Sequence, residues 1–334
     1  MSSNDFPRDL PEDIDQLDYK DLRNMLSHNV HLKESFIIQI LDRLSDLLIK
    51  EPNVLYLQSP ITVCGDIHGQ LLDLFQLFDA AGGEENSQFL FLGDYVDRGY
   101  CSLETFAYLA FLKIRNPNRF WLLRGNHESK ETNQTYGLFN DCIQLYGHSG
   151  IWFMINDVFS LLPIAAVIDK KIFCVHGGLS PKINLVDQID TLQRRKDIEK
   201  DPIISDLTWS DPDEVSKFIS NRRGNGYVFG PKHTLTFLYN NQFLPRNYSY
   251  EGDRKQDINH GFIARSHQLT QNGYVWLHDD NLVIVWSAPN YMYKCGNDAS
   301  IMKVYTDKAP EFIKFDKDEK SSIKPEDLII EYFA

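Results

Sequence analysis

Long apolar runs are missing from this chain. No stretch of about 18 apolar residues occurs, which argues against a membrane-spanning helix. An apolar leader is missing too: Met1-Ser2-Ser3-Asn4-Asp5 is polar and begins no secretory signal, so a cytoplasmic or nuclear location is expected. Cysteine is scarce, with five residues, an odd number, and no CxxC spacing. Cys64 and Cys174 lie inside apolar runs, so reduced thiols in the core are expected rather than a disulfide framework. Asn133-Gln134-Thr135 and Asn247-Tyr248-Ser249 fit the glycosylation pattern but would stay unmodified without secretion. Positive charge is in deficit. Lys and Arg number 34 against 47 Asp and Glu, a formal net charge of −13 that argues against nucleic acid or an anionic membrane as main partner. The acidity either serves solubility alone or marks a groove that favours basic sequence around its target. No repeat, low-complexity tract or interdomain linker divides the chain, and 43% apolar residues are ample for the core of one α/β domain.

What is present is a strand–helix rhythm. Ile61-Thr62-Val63-Cys64, Phe89-Leu90-Phe91-Leu92 and Phe120-Trp121-Leu122-Leu123 are β-branched or aromatic runs that read as buried strands. Leu71 to Ala81, stopped by Gly82-Gly83, and Leu103 to Lys113, ended near Pro117, read as the helices between them. This alternation suits right-handed βαβ crossovers, which set successive strand ends side by side. Residues 35–49 carry Ile37, Ile40, Leu41, Leu44, Leu47 and Leu48 as an amphipathic helical stripe. Lys171–Val175, Phe262–Arg265 and Leu282–Trp286 are later strand candidates.

Each of the first three strands runs into a polar motif: Gly65-Asp66-Ile67-His68-Gly69, Gly93-Asp94-Tyr95-Val96-Asp97-Arg98-Gly99, and Arg124-Gly125-Asn126-His127-Glu128. In an open α/β sheet the carboxyl ends of strands form the binding crevice. Asp, His and Asn are oxygen and nitrogen ligands for hard or borderline divalent metals, so the pattern reads as a dinuclear metal site.

These motifs resemble the phosphoprotein phosphatase family of serine/threonine phosphatases. Further matches follow in family order: Cys174-Val175-His176-Gly177-Gly178-Leu179-Ser180-Pro181, Trp209-Ser210-Asp211-Pro212, Arg223-Gly224, Arg265-Ser266-His267-Gln268 and Ser287-Ala288-Pro289-Asn290-Tyr291. The likeness covers about residues 35–305, and Tyr293-Lys294-Cys295-Gly296-Asn297 is most similar to the type 2A branch. It implies a single metallophosphoesterase domain at 35–305, with two packed mixed β-sheets flanked by helices. Residues 1–34 would be an N-terminal segment and 306–334 a C-terminal tail, both too short for a further domain.

The resemblance also implies the chemistry: hydrolysis of phosphoserine and phosphothreonine by a hydroxide activated by two metals, without a phosphoenzyme. Asp66, His68 and Asp94 would hold one ion, and Asp94, Asn126, His176 and His267 the other. Asp94 would bridge, since neither imidazole nor amide can give one oxygen to each ion. The cofactors would be two divalent ions, for which these ligand types accept manganese, iron or zinc alike. Taken alone, His176 could equally be a hydrogen-bonded core residue.

His127 fits a general acid for the leaving oxygen, with Asp97 accepting its other N–H. Glu128 is an alternative acid or, as preferred here, a structural partner beside the metals. Arg98 and Arg223 suit a bidentate clamp on phosphate, with Asn126 also in reach of substrate and Tyr291 donating at the rim. The ordinary alternatives are surface salt bridges for the arginines and a packed aromatic for Tyr291. Partners would be phosphoprotein substrates and scaffold and regulatory subunits of a larger holoenzyme. A small-molecule phosphoesterase sharing the first three motifs, or a catalytically dead binding subunit, are the rival readings. The region from Arg265 to Gln268 and from Tyr291 to Asn297, and the intact ligand set, argue against them.

Three departures stand out. Met292 replaces the cysteine usual in close relatives. Residues 241–259 make the segment roughly 17 residues longer than the family pattern, as a surface loop that costs little in closure entropy. The terminus Glu331-Tyr332-Phe333-Ala334 has Ala334 where the family carries a methyl-esterified leucine, which leaves methylation open.

Overall fold

The computed structural model describes residues 13–244 and 260–324. Asn247, residues 245–259 of the expected insertion and the terminal Glu331 to Ala334 lie outside the described residues. The strands are β1 (Val54–Leu57), β2 (Ile61–Cys64), β3 (Phe89–Phe91), β4 (Phe120–Leu122), β5 (Ala165–Ile168), β6 (Ile172–Val175), β7 (Asp211–Pro212), β8 (Ile219–Ser220), β9 (Tyr227–Phe229), β10 (Phe262–Arg265), β11 (Tyr274–Leu277), β12 (Leu282–Val285), β13 (Ala299–Val304) and β14 (Glu311–Phe315). A five-stranded sheet has the order β14-β13-β2-β3-β4 and a six-stranded sheet the order β1-β5-β6-β10-β12-β11. Both mix parallel and antiparallel pairs. A small third sheet, β7-β9-β8, was not foreseen from sequence.

The apolar strands are explained by burial on both faces. Along β3 and its continuation, Phe89 and Phe91 point into the helical layer, while Leu90 and Leu92 point into the layer between the sheets. Along β12, Leu282 and Ile284 face the second helical layer, and Val283 and Val285 meet the same inter-sheet layer from the other side. Side-chain alternation of period two thus sorts one apolar run into two cores. Helices α1 (Tyr19–Ser27), α2 (Glu34–Leu48), α3 (Leu71–Ala81), α4 (Ser102–Arg115), α5 (Lys130–Tyr136), α6 (Leu138–Tyr146) and α7 (Gly150–Phe159) belong to the five-stranded side. On the six-stranded side lie α8 (Asp187–Asp190), α9 (Pro202–Trp209) and α10 (Pro231–Asn240).

Helix ends follow local chemistry. Helix α3 stops at Gly82, whose φ of 95° is left-handed. Helix α2 buries Phe36 in addition to its expected stripe, whereas Leu47 is only half-buried. Residues flanking 35–305 join the same body: Leu22, Met25 and Leu26 of α1 enter the first core, and β14 pairs antiparallel with β13. Phe243 and Leu244, at the start of the expected surface insertion, are buried beside α10 instead. Asn133 is fully buried, and its amide donates to Asn156 Oδ1 at 2.8 Å, which closes it to glycosylation. Of the cysteines, Cys64, Cys142 and Cys174 are buried, but Cys295 is exposed, contrary to a core thiol.

Register places the motifs. Cys64, Phe91 and Leu122 are consecutive partners across β2, β3 and β4, so the three motif loops leave their parallel strands level with one another. In the facing sheet Cys174 and Ala264 are partners in parallel β6 and β10, which lead to His176 and His267.

The inter-sheet layer gives a stability test. Leu90→Ala, at a site with no exposure, should lower the unfolding free energy by about 2–5 kcal/mol. Tyr56→Ala, 57% exposed on edge strand β1, should stay within about 0.5 kcal/mol. Urea midpoints measure both, and equal shifts would contradict the layer assignment.

Candidate metal centre

Asp66 and His68 follow β2, Asp94 follows β3, Asn126 and His127 follow β4, and His176 and His267 follow β6 and β10. The structure gathers all seven. Two triads, His68 with Asp94 and His127, and Asp94 with His176 and His267, each have ligand atoms within 4.8 Å of one another, and they share only Asp94. Its two oxygens face different groups: Oδ2 is 3.6 Å from His68 Nε2, and Oδ1 is 3.3 Å from His176 Nε2. Asp66 Oδ2 is 3.5 Å from His68 Nε2, and Asn126 Oδ1 is 2.9 Å from His176 Nε2. Geometry alone would therefore also admit His127 as a ligand, since its Nε2 lies 4.0 Å from Asp94 Oδ2.

The imidazoles are pre-oriented. His68 Nδ1 donates to Val96 O and His176 Nδ1 to Leu92 O, both at 3.1 Å, which aims each Nε2 into the cluster. Burial opposes a charge on His68, but Asp66 and Asp94 outweigh it and lift the ring to about 9. Burial, then His176 and Arg265, hold His267 well below the usual imidazole range, so it remains a neutral Lewis base. Burial would raise Asp94, yet the neighbouring His176 and His127 keep it well below the usual carboxylate range. Two buried atoms, Asp66 Oδ2 and His267 Nε2, have no hydrogen-bond partner. Orphaned acceptors of this kind normally cost about 1–3 kcal/mol each. Carboxylate oxygen and imidazole nitrogen together form a donor set that fits divalent cations of the manganese, iron and zinc type.

The loops hold these residues in uncommon backbone conformations. His68, Asp94, Asp97, Arg98 and His267 have φ of 50°, 56°, 71°, 72° and 66°. Left-handed non-glycine residues cluster where surrounding contacts over-determine them. Here Ser102 Oγ accepts the Asp97 N–H at 3.1 Å. Glu128 spans two loops by accepting the N–H groups of Asp94, Tyr95 and Gly125 at 2.8–2.9 Å. A Cβ on Gly125 would lie 2.3 Å from Asp94 Oδ1, so this approach needs glycine.

A cleft of about 470 Å³ opens over the cluster. His127 Nδ1 is 2.6 Å from Asp97 Oδ2, whose Oδ1 accepts the Leu138 N–H at 2.9 Å. Arg98, on the same loop as Asp94, lies with its guanidinium carbon 3.8 Å from the centre of the Tyr136 ring, and its buried Nε is unpaired. Arg223 reaches the cleft from between β8 and β9, with Nε donating to Asp211 Oδ2 at 2.8 Å. Tyr291 stands 5.0 Å, centre to centre, from both the His68 and Trp286 rings. Met292 also lines the cleft.

Several contributors went unassigned in the sequence. Asp211 accepts from Arg223, Asn221 and buried Arg265, and so supports one arm of the cleft. Ser266 Oγ donates to Asp66 Oδ1 and accepts the Asp66 N–H at 3.0 Å. Both lie inside quoted motifs, which was the available signal.

With this geometry established, comparisons with known proteins agree on one family. A family model described as calcineurin-like phosphoesterase matches residues 59–244. The chain is 42% identical over 306 residues to serine/threonine-protein phosphatase ppe1 of Schizosaccharomyces pombe, covering 91% of this chain and 95% of that protein. It is 42% identical over 291 residues to the serine/threonine-protein phosphatase 4 catalytic subunit of Eremothecium gossypii, covering 87% and 88%. A solved serine/threonine phosphatase of Saccharomyces cerevisiae with similarity to human PP5 superposes with a TM-score of 0.79 at 29% identity, covering 91% of this chain and 97% of that one.

The shared carboxylate yields a direct expectation. Asp94→Asn should lower bound metal, measured by inductively coupled plasma mass spectrometry, and abolish activity, since it weakens both triads together. Two ions per chain with near-normal turnover would refute the bridging geometry.

Proposed function

The chain belongs to the calcineurin-like phosphoesterase family, in the type 2A-like branch of serine/threonine protein phosphatases, and from that premise we propose how its residues divide the reaction. The substrate is a phosphoserine or phosphothreonine of another protein, and the reaction is hydrolysis of its phosphate ester. The observation that carries the assignment of roles is Asp94, with one carboxylate oxygen toward each triad.

Asp66, His68 and Asp94 would hold one divalent cation, and Asp94, Asn126, His176 and His267 the second, drawn from manganese, iron or zinc. When bound, the pair supplies Lewis-acid chemistry, neutralising phosphoryl oxygens and making water acidic enough to attack phosphorus near neutral pH. The remaining work falls to the chain. Arg98 and Arg223 face the cleft and present guanidinium forks that match the equatorial phosphoryl oxygens. Asn126 lies within reach of the same oxygens, and Tyr291 offers a phenolic hydrogen bond from the rim. His127 donates a proton from Nε2 to the leaving serine or threonine oxygen, an alkoxide too basic to depart unprotonated. Asp97 fixes that ring through Nδ1, and the Leu138 N–H fixes Asp97 in turn.

Scaffold and regulatory subunits are the partners expected for such a catalytic subunit, and a reducing cytoplasmic or nuclear setting suits its five unpaired thiols. No helix of the described residues is long and apolar enough to cross a membrane.

The acid role separates from metal ligation in one experiment. His127→Asn should keep both ions while losing turnover of a phosphoserine peptide by about 10²–10⁴-fold. A p-nitrophenyl phosphate substrate, whose leaving group needs less protonation, should lose much less. Loss of metal would make His127 a ligand, and equal losses on both substrates would remove the acid role. Arg223→Ala should keep the metals and weaken inhibition by orthovanadate on the order of a hundredfold. An unchanged inhibition constant would take Arg223 out of the clamp.

A further inference from the structure

The loop between β12 and β13 brings Tyr291 to the cleft through an unfavourable backbone. Asn290, Met292 and Tyr293 have φ of 42°, 53° and 62°. Non-glycine residues persist in that left-handed region only where their surroundings over-determine them. Part of the restraint comes from the loop itself. Asn297 Oδ1 accepts the Tyr291 N–H at 2.8 Å, and Asn290 Oδ1 accepts the Gly296 N–H at 2.9 Å.

Tyr293 is held by Tyr100, whose N–H its hydroxyl accepts at 3.0 Å, and the backbone flanking Tyr291 is held by the loop after β2. Gln70 is buried, and its Nε2 donates to Pro289 O at 2.8 Å while its Oε1 accepts the Met292 N–H at 3.3 Å. One amide therefore grips the backbone on both sides of Tyr291. Nε2 also donates to Asp73 Oδ2 at 2.6 Å, which sets the amide's orientation. Asp73 is itself held, since its Oδ1 accepts the Asp318 N–H at 2.7 Å from the chain that follows β14. An apolar side chain of the same length could fill the space. It could not serve a carbonyl that needs a donor and an N–H that needs an acceptor.

We propose that Gln70, backed by Asp73, is a positioning residue for phosphate ester hydrolysis, holding the Pro289–Met292 backbone so that the Tyr291 phenol stands in the cleft. The inference rests on the reading of Tyr291 as a phosphate-facing donor. Gln70 acts through Tyr291 and touches no reacting atom.

The test uses the full chain as Gln70→Met, Tyr291→Phe and the double variant. The measurements are bound metal, hydrogen exchange of residues 286–297, and competitive inhibition by inorganic phosphate. Gln70→Met should keep its metal and speed exchange of that segment about tenfold or more. Its phosphate inhibition constant should rise about tenfold, as for Tyr291→Phe, because a hydrogen bond to a charged group is lost in each. The double variant should then be within about twofold of Tyr291→Phe, the non-additivity expected of residues acting as a unit.

Unchanged exchange overturns the proposal. Loss of metal overturns it as well, by moving the effect to His68, and so does full additivity in the double variant. Faster exchange together with normal phosphate binding by Tyr291→Phe would instead overturn the reading of Tyr291 and leave the grip on the loop standing. Should Gln70→Met fail to fold, Asp73→Asn, which sets a second donor against Gln70 Nε2, is judged by the same criteria.

Discussion

Asp94 is a carboxylate with almost no exposure, and its two oxygens face two separate groups of imidazoles. An ionised carboxylate taken out of water costs several kcal/mol unless opposite charge and hydrogen bonds compensate. Near Asp94 the compensating groups are His68, His127 and His176, with the His127 N–H donating to Oδ1 at 2.9 Å. The surrounding strands can be seen as the means of bringing those groups to one carboxylate. Level registers in β2, β3 and β4 set three loops together, and β6 and β10 supply His176 and His267 from the opposite sheet. The five-stranded sheet supplies the whole of the first triad, whereas the second takes Asp94 from that sheet and His176 and His267 from the facing one. The site therefore depends on the apolar layer between the sheets as directly as on its own polar residues.

That convergence requires backbone that ordinary strand–helix connections do not use. Five residues at the cluster adopt left-handed φ without being glycine, and glycine stands where main chains pass closest, as at Gly125 against Asp94 and Gly99 against His68. Side chains hold the strained loops: Glu128 across the second and third motifs, Ser102 under Asp97, Ser266 beside Asp66. Each is a polar group bonded to loop backbone, and Ser266 also to the Asp66 carboxylate. Contacts within the protein alone therefore direct the imidazoles of both triads toward Asp94, which on the proposed reading is preorganisation.

Much of this was readable in advance, for physical reasons. The strand runs are apolar because both faces are buried, and helix α3 ends where Gly82 follows it, so local patterning and final structure agree. The convergence of Asp66, His68, Asp94, Asn126, His176 and His267 was readable because oxygen and nitrogen donors recur at successive strand ends. Asp211 and Gln70 resisted assignment because their contacts join residues far apart in sequence: Asp211 to Arg265, and Gln70 to Pro289. Asp211 lay inside a quoted motif, but a motif does not say which distant arginine its carboxylate steadies. Phe243 and Leu244 were misplaced for a related reason. They border a polar stretch, and only the packing of α10 against the six-stranded sheet shows that they are buried.

The two arginines at the cleft are supported in different ways, and on the proposed reading this divides their contributions. Arg98 sits on a loop fixed by left-handed backbone and lies over the Tyr136 ring, a contact that restrains the plane of the guanidinium. Arg223 has a side chain 41% exposed, on the connection between two-residue β8 and three-residue β9, and a single carboxylate holds its Nε. Its terminal nitrogens remain available while Nε is occupied, so Asp211 sets the direction of the fork without consuming it. Asp211 is itself buried and also accepts from Asn221 and Arg265, so its direction is fixed independently of Arg223 and is passed on to that arm. A rigid arm beside the bridging carboxylate and a more exposed arm across the cleft would let phosphate be gripped near the ions while substrates with different flanking residues are admitted from the open side.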